Sequence, residues 1–358
     1  MPASCPALPR PVCAVLRQGQ VIPELPLALT AARRLDERRQ RALCRYYAAA
    51  GAGGLAVGGI TTQFAIRHPK HGMLRPVLTL AAEEMDRADR RREEPLVRIA
   101  GVSGKTAQAV SEAALARVLG YHAGLLSLAE LPEEKVEGVL AHCQAVAAVL
   151  PLVGINLKRA DGGRVLPFRF WRKFAEIEAV VAIEIAPFNR YQTIDVIRAM
   201  AEAGRDDIAL YTGNDDTIVL DLVTPFRFTV GGRTVERRIV GGLPGHWSVW
   251  TLRAVELLAE CRDATRTEGA VPVALLRKAA EITDANAAIC DAAHNFAGRI
   301  TGLHEVLRRQ GLLDGTWCLD PREGLSPGQS EEIDRVWGAY PHLNDDAFVA
   351  AHRDEWLR

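Results

Sequence analysis

Short apolar runs alternate with longer amphipathic stretches through the first two thirds of the chain. Eight runs have the length of a strand: residues 25–30, 55–59, 96–102, 123–129, 152–157, 180–186, 208–212 and 238–242. Runs that are apolar at successive positions are typical of strands buried on both faces of a parallel sheet. The stretches between most of them have the pattern of helices, so the sequence predicts repeated strand–helix units.

The number of units indicates the architecture. Eight strand–helix units over about 240 residues match the size of a (β/α)8 barrel. A doubly wound open sheet is the competing fold, but no G-x-G-x-x-G follows the first run. After residue 247 the patterns at 250–259, 272–289, 302–310 and 330–339 indicate helices. We therefore predict an α/β fold: an N-terminal tail at 1–20, a (β/α)8 TIM barrel at 21–262 and a C-terminal helical extension at 263–358.

Composition narrows the function classes. The chain has 358 residues and a formal net charge of zero, so its totals indicate no nucleic-acid partner and no anionic membrane partner. No apolar run approaches the roughly 20 residues of a membrane span. Seven dispersed cysteines without a C-x-x-C pair predict reduced thiols in a cytoplasmic protein. No H-E-x-x-H or comparable motif is present, and we expect neither a metal nor a cofactor.

Four segments in order carry a resemblance to a known family. They are Gly-Gly-Ile-Thr-Thr at 58–62, the run 99–109, the run 180–186 and Leu-Tyr-Thr-Gly-Asn-Asp-Asp at 210–216. With these segments, the chain resembles the dihydrodipicolinate synthase / N-acetylneuraminate lyase family of class I aldolases over roughly residues 25 to 300. The resemblance implies a TIM barrel, a small carboxylate or keto-acid ligand and a homo-oligomer.

Two positions depart from the family pattern. The resemblance places the family's Schiff-base lysine where this chain has Glu184, and a proton-relaying tyrosine near the end of the fifth strand, where it has Asn156. An amine can condense with a keto group, whereas a carboxylate cannot. The resemblance therefore supports the architecture and the position of the pocket, and leaves the reaction open.

The candidate catalytic residues are Glu184, Asn156 and Lys158. Side chains alternate along a strand, so Asn156 and Lys158 share a face, and we expect Glu184 to face the same interior. A carboxylate at this depth has its pKa raised by desolvation and can serve as an acid or base, with Asn156 as a polariser. One alternative makes Lys158 a relocated imine-forming lysine. Others are a Lys158–Glu184 ion pair or a structural carboxylate held by basic neighbours.

Six further residues are candidate contacts for the substrate. They lie at the ends of predicted strands or in the loops that follow: Thr61, Thr62, Arg164, Tyr211, Asn214 and His246. The resemblance makes Thr61 and Thr62 donors to an anionic group, although such a loop can also only cap the next element. Arg164 could grip a carboxylate with two hydrogen bonds or lie in solvent.

Three hypotheses about function follow. The first is an enzyme that transfers a proton on a small 2-oxo or carboxylated metabolite, with Glu184 as the proton-transfer group and no Schiff base at the sixth strand. The second is a lyase that forms an imine on Lys158. The third is a catalytically silent barrel that binds a metabolite or a partner protein.

Overall fold

Nine strands define the sheets of the computed structural model, which describes residues 7–158, 163–266 and 270–358. They are β1 Gly54–Val57, β2 Val97–Val102, β3 Ala123–Leu126, β4 Leu152–Leu157, β5 Val180–Ala186, β6 Ala209–Thr212, β7 Phe226–Val230, β8 Arg233–Arg237 and β9 Gly241–Gly242. Strands β1 to β6 and β9 form one curved sheet in that order, and every neighbouring pair is parallel. The remaining two form a separate hairpin.

A short segment before β1 closes this sheet into a ring. Val21 bridges Gly242 of β9, and Glu24 bridges Ala56 of β1, both in the parallel direction. Seven strands and this closing segment make eight staves, so the (β/α)8 barrel is confirmed. The first stave lies earlier than the predicted run 25–30. This first stave is short because Pro23 supplies no N–H to a strand ladder.

Thirteen α-helices lie in the described part of the chain. They are α1 Arg10–Gln18, α2 Glu37–Ala49, α3 Leu74–Asp89, α4 Thr106–Val118, α5 Val136–Ala147, α6 Phe168–Phe174, α7 Arg190–Ala203, α8 Ile218–Val223, α9 Thr251–Arg266, α10 Val273–Ile289, α11 Arg299–Arg309, α12 Gln329–Ala339 and α13 Asp346–Trp356. The last four lie within residues 263–358, the predicted C-terminal helical extension, whereas α9 begins inside the predicted barrel.

Local sequence sets where individual helices begin and end. The Asp36 side chain accepts a hydrogen bond from the backbone N–H of Arg39 at the start of α2. The Asn189 side chain does the same for two N–H groups at the start of α7, and Gly204 ends that helix with a φ of 65°. Such caps satisfy backbone groups that a helix end leaves without partners.

The N-terminal helix α1 covers the bottom of the barrel, where the strands begin. Val12, Val15 and Leu16 are buried in one apolar cluster with barrel-interior side chains such as Ile99. The hydroxyl of Tyr211 reaches down from β6 and donates to the carbonyl of Leu16 at 2.7 Å. Within the predicted N-terminal tail, residues 10–18 thus form a helix whose apolar face packs against the barrel interior.

Strands β7 and β8 were not predicted. They pair antiparallel from Phe226 with Arg237 to Val230 with Arg233. Gly231 and Gly232 form the turn with φ angles of 55° and 77°, a conformation that favours glycine. The signal was in the sequence, since two alternating runs separated by Gly-Gly are typical of a hairpin.

The C-terminal helices pack back onto the barrel shell. Tyr46 of α2 donates its hydroxyl to Asp345 at 2.7 Å and accepts the N–H of Thr251 at 2.8 Å. Its ring packs against Phe348 and Trp356 of α13. These contacts hold α9 and α13 against α2.

Candidate active site

A cavity opens where the barrel strands end. It encloses about 650 Å³ of empty space, counted with its open mouth, which is ample for a small metabolite. Its walls come from the ends of the staves and the loops that follow, with one side chain from α11. The lining residues are Glu24, Ala56, Gly59, Ile60, Thr61, Phe64, Leu125, Ser127, Ile155, Leu157, Glu184, Ala186, Phe188, Gly213, Leu243, Gly245 and Arg299. Active sites of TIM barrels lie at this end.

Glu184 projects from the middle of β5 into this cavity. Its side chain lies beside Gly213, where an added Cβ would come within 2.5 Å of the Glu184 Oε1. The residue is only 6% exposed, and its carboxylate makes no hydrogen bond or ion pair with the described part of the chain. Burial, and then the nearby Glu24 and Asp215 carboxylates, raise the pKa of Glu184 well above 4.5, although Arg299 pulls it down.

Glu24 supplies a second carboxylate, which the sequence reasoning missed. The Thr61 hydroxyl donates to Glu24 Oε2 at 2.7 Å, while Glu24 Oε1 is buried and has no hydrogen-bond partner in the described structure. Burial raises the pKa of Glu24, against the hydrogen bonds from Thr61 and the charge of Arg299. Only the closing segment's position reveals this residue, because its sequence context is an ordinary Pro-Glu-Leu-Pro loop.

Asp215 and Arg299 form a buried ion pair at the edge of the cavity. The Arg299 Nη2 lies 3.3 Å from the Asp215 Oδ2, and the backbone N–H of His246 donates to the other oxygen at 3.2 Å. Asp215 is fully buried. Among the described lining residues Arg299 is the only cation, so it is the candidate contact for an anionic group. It lies far along the sequence from every barrel motif, so no local signal pointed to it.

Two of the predicted catalytic residues do not reach the cavity. The register pairs Ile155 with Glu184, so that Ile155 and Leu157 line the cavity and Asn156 points to the opposite face. Because side chains alternate, a shift of one residue reverses the face, and the predicted shared face of Asn156 and Glu184 was wrong. Asn156 is instead fully buried outside the cavity lining.

Lys158 lies behind the cavity wall. Its Nζ is 2.9 Å from the centre of the Phe296 ring and 4.2 Å from that of Phe188, a residue that lines the cavity. Lys158 is not among the described residues that line the cavity. Phe188 has a positive φ of 51°, and its N–H is held by the Asn214 side chain at 2.9 Å. The predicted amine–carboxylate pair in the pocket was therefore wrong.

The predicted anion contacts have structural partners. Arg164 donates to the carbonyls of Leu131 and Glu134 at 2.6 and 2.8 Å, so it holds the loop before α5 and does not line the cavity. The Thr62 hydroxyl donates to the carbonyl of Leu25 at 2.6 Å. Of the two threonines only Thr61 lines the cavity, and its hydroxyl is engaged by Glu24.

Asn214, Tyr211 and His246 also lie outside this cavity. Asn214 joins the loop after β5 to α7 and α8 through its side-chain amide. Tyr211 points to the barrel floor, where its hydroxyl donates to the carbonyl of Leu16. His246 lines a separate cavity beside α9, and burial lowers the pKa of its ring. Tyr211 lies within β6, and the other two residues follow strand ends. The direction of each side chain depends on packing that the sequence does not show.

The described ranges contain neither a metal-binding cluster nor a membrane-spanning helix. No three His, Cys, Asp or Glu side chains there are grouped so that they could hold a metal ion. No helix among those residues is long and apolar enough to cross a membrane.

Sequence comparison finds two informative relatives. The chain is 26% identical over 188 residues to a 4-hydroxy-tetrahydrodipicolinate synthase from Nitratidesulfovibrio vulgaris, which is 52% of this chain and 60% of that protein. It is 35% identical over 141 residues to a synthase of the same name from Synechocystis sp., covering 38% and 43%. The chain thus spans about half the length of the curated relatives it matches. No protein-family model matches it.

Solved structures match over nearly the whole chain. Dihydrodipicolinate synthase from Oceanobacillus iheyensis superposes with a TM-score of 0.73, at 15% identity, over 93% of this chain and 99% of that one. The chain is similar to proteins of the dihydrodipicolinate synthase / N-acetylneuraminate lyase family. A second match is N-acetylneuraminate lyase from Fusobacterium nucleatum complexed with pyruvate, with a TM-score of 0.66 at 14% identity, over 90% and 97%. At these identities the structures of dihydrodipicolinate synthase and N-acetylneuraminate lyase support the shared barrel alone.

Proposed function

We propose that the protein is an enzyme that transfers a proton on a small 2-oxo acid or other carboxylated metabolite, using Glu184 and no Schiff base on β5. The observation that carries the proposal is a buried carboxylate without a partner in the described structure, at the mouth of a TIM barrel. An isolated buried charge is costly, so such a group holds its proton to higher pH. A carboxyl group that titrates nearer to neutral pH is suited to proton transfer.

The reaction needs one group to move the proton and another to hold the substrate. The protonated Glu184 can donate to a carbonyl oxygen, and its ionised form can take a proton from the adjacent carbon. Arg299 brings positive charge to the same cavity and is suited to attract a carboxylate. The Asp215 carboxylate, held by the His246 N–H, orients the guanidinium.

The imine hypothesis has less support. None of the described lining residues is a lysine. Lys158 lies against two aromatic rings, and a ring face favours the charged ammonium over the neutral amine that attacks a carbonyl. A silent barrel is the remaining alternative. The homo-oligomer, the cytoplasmic location and the domain boundaries at residues 20 and 262 stay predictions from the sequence.

Exchange of protons for deuterium tests the proposal. Pyruvate and longer 2-oxo acids are incubated with the protein in D2O. Proton NMR then follows the loss of signal from the hydrogens on the carbon next to the carbonyl. We expect catalysed exchange that falls at least about 100-fold in Glu184→Gln, the size of a typical acid–base contribution. Glu176→Gln, the same change at an exposed site just before β5, should leave the rate unchanged.

Borohydride reduction separates the alternatives. The protein is treated with borohydride and each 2-oxo acid, and its intact mass is measured. We expect no adduct. An adduct that disappears in Lys158→Ala would establish the imine hypothesis instead. Ligand binding without exchange or turnover of any 2-oxo acid would favour the silent barrel.

A further inference from the structure

The threonine loop after β1 already holds a carboxylate of the protein itself. The Thr61 hydroxyl donates to Glu24 Oε2 at 2.7 Å. The Thr62 hydroxyl donates to a backbone carbonyl and accepts the N–H of Gly58 at 2.9 Å. Both hydroxyls that were predicted to bind a ligand anion are therefore hydrogen-bonded to groups of the protein. A ligand that approaches this loop contacts Glu24.

The second oxygen of Glu24 lacks a partner. Glu24 Oε1 is buried and accepts no hydrogen bond from the described part of the chain. It lies so close to Gly59 that an added Cβ there would be 1.9 Å away, so this position of the carboxylate depends on a glycine. An ionised carboxylate oxygen can only accept hydrogen bonds. A buried acceptor without a partner is unfavourable, and a hydrogen-bond donor on a ligand would remove that cost.

The charges around the cavity also favour a hydrogen-bond donor over an anion beside Glu24. Glu24 and Glu184 line it, and Asp215 lies at its edge, whereas Arg299 is the only cation among its described lining residues. Arg67 acts on Glu24 from outside the lining. A ligand carboxylate beside Glu24 would add like charge in a poorly solvated space, which is unfavourable. A hydroxyl or an ammonium group there would instead donate to a waiting acceptor.

We infer that the ligand brings a hydroxyl or protonated amine to Glu24 and that Glu24 excludes ligands with a carboxylate at that point. The inference rests on the proposed function for the rest of the ligand, which is a carboxylated metabolite attracted by Arg299. The substrate class is thereby narrowed to hydroxy- or amino-substituted carboxylic acids, including 2-oxo acids of that kind. Glu24 becomes a specificity-determining residue.

Binding of matched ligands tests the inference without any turnover. The probes are straight-chain acids of three to six carbons that end in a hydroxyl, an ammonium or a second carboxylate, such as 4-hydroxybutanoate, 4-aminobutanoate and succinate. Isothermal titration calorimetry gives the Kd of each with the whole protein. We expect the best hydroxy or amino acid to bind at least about tenfold more tightly than the dicarboxylate of equal length, because one buried interaction of about 1.4 kcal/mol separates them.

Variants at Glu24 and Thr61 identify the cause. In Glu24→Gln, which keeps size and removes charge, the preference over the dicarboxylate should fall to less than about threefold. Thr61→Val keeps the Glu24 charge and should keep the preference, as should Glu176→Gln. Equal binding of the dicarboxylate by the unaltered protein, an unchanged preference in Glu24→Gln, or no binding across the whole series would each overturn the inference. Failure of the proposed function would show separately, as absent deuterium exchange.

Discussion

Replacing Glu184 by glutamine should make the protein more stable at neutral and alkaline pH. Burial and neighbouring carboxylates raise the pKa of Glu184 in the folded state above its ordinary value of 4.5. The folded state therefore binds this proton more tightly than the unfolded state does. The stability contributed by the proton is complete below pH 4.5 and is lost as the pH rises through the folded pKa. Glutamine does not titrate, so the variant does not suffer this loss.

The size of the effect follows from linkage. Each unit by which the folded pKa exceeds 4.5 costs about 1.4 kcal/mol once the pH is above the folded pKa. A chain of 358 residues has an unfolding entropy of roughly 0.75 kcal/mol/K near its Tm, so each unit corresponds to about 2 °C. Because Glu184 is only 6% exposed, solvent screening reduces this stability effect only slightly.

The assay is urea unfolding of the original protein and the variant from pH 4 to pH 9. The difference in unfolding free energy should be flat below about pH 4.5 and then change by about 1.4 kcal/mol per pH unit until it levels off at the folded pKa. Burying the glutamine amide adds an offset to this difference that does not depend on pH. The test is therefore the slope of the difference against pH. Glu176→Gln, at an exposed site, should show no such slope.

A second variant tests the cause of the shift. The charge of Glu24 contributes to the raised pKa of Glu184. In a Glu24→Gln background the slope should therefore level off at a lower pH. A difference independent of pH, or a variant that loses stability as the pH rises, would refute the argument that Glu184 is a buried carboxylate without compensation.

Three further predictions follow from the same cavity and its surroundings. Arg299→Lys should weaken binding of carboxylated ligands by about 10- to 100-fold in calorimetry, the range for a lost charged hydrogen bond; unchanged affinity would rule out a role in binding. Gly213→Ala should cost about 1–3 kcal/mol in urea unfolding and slow deuterium exchange, because the added methyl displaces Glu184, whereas Gly338→Ala, in open space, should cost nothing. Arg164→Ala should lower stability by about 1–3 kcal/mol yet leave ligand affinity within about twofold, because its partners are backbone carbonyls.

Much of the barrel could be predicted from hydrophobic pattern. Strands β4 and β5 have the predicted bounds, because continuous apolar runs mark strands that are covered on both faces. The first stave was misplaced because its apolar run continues beyond the barrel, where Leu27 and Leu29 are buried without belonging to a strand. The β7–β8 hairpin was missed although its Gly-Gly turn was visible, because strands were sought only as parallel, fully buried runs.

The candidate site was harder to predict because it depends on the direction in which each side chain points. The face of Asn156 follows from the register of β4 against β5, which no single strand encodes. Arg164 fits a carboxylate grip in isolation, yet it is bound by carbonyls of a loop thirty residues away in the chain. The hydrophobic pattern shows which residues near strand ends are polar. It does not show which of these side chains are already hydrogen-bonded to other groups of the protein.

The sequence alone determined the strand–helix alternation, the helical extension and a carboxylate at the critical position of the sixth stave, because these depend on local periodicity and residue type. The tertiary structure decided that Glu184 shares its cavity with Glu24 and Arg299, which lie at opposite ends of the chain. Closing the ring brings residues 20–25 beside β1 and β9, and packing of the extension brings α11 over the mouth. Charges that are distant in sequence then meet in a poorly solvated space, and their pKa values follow from that proximity.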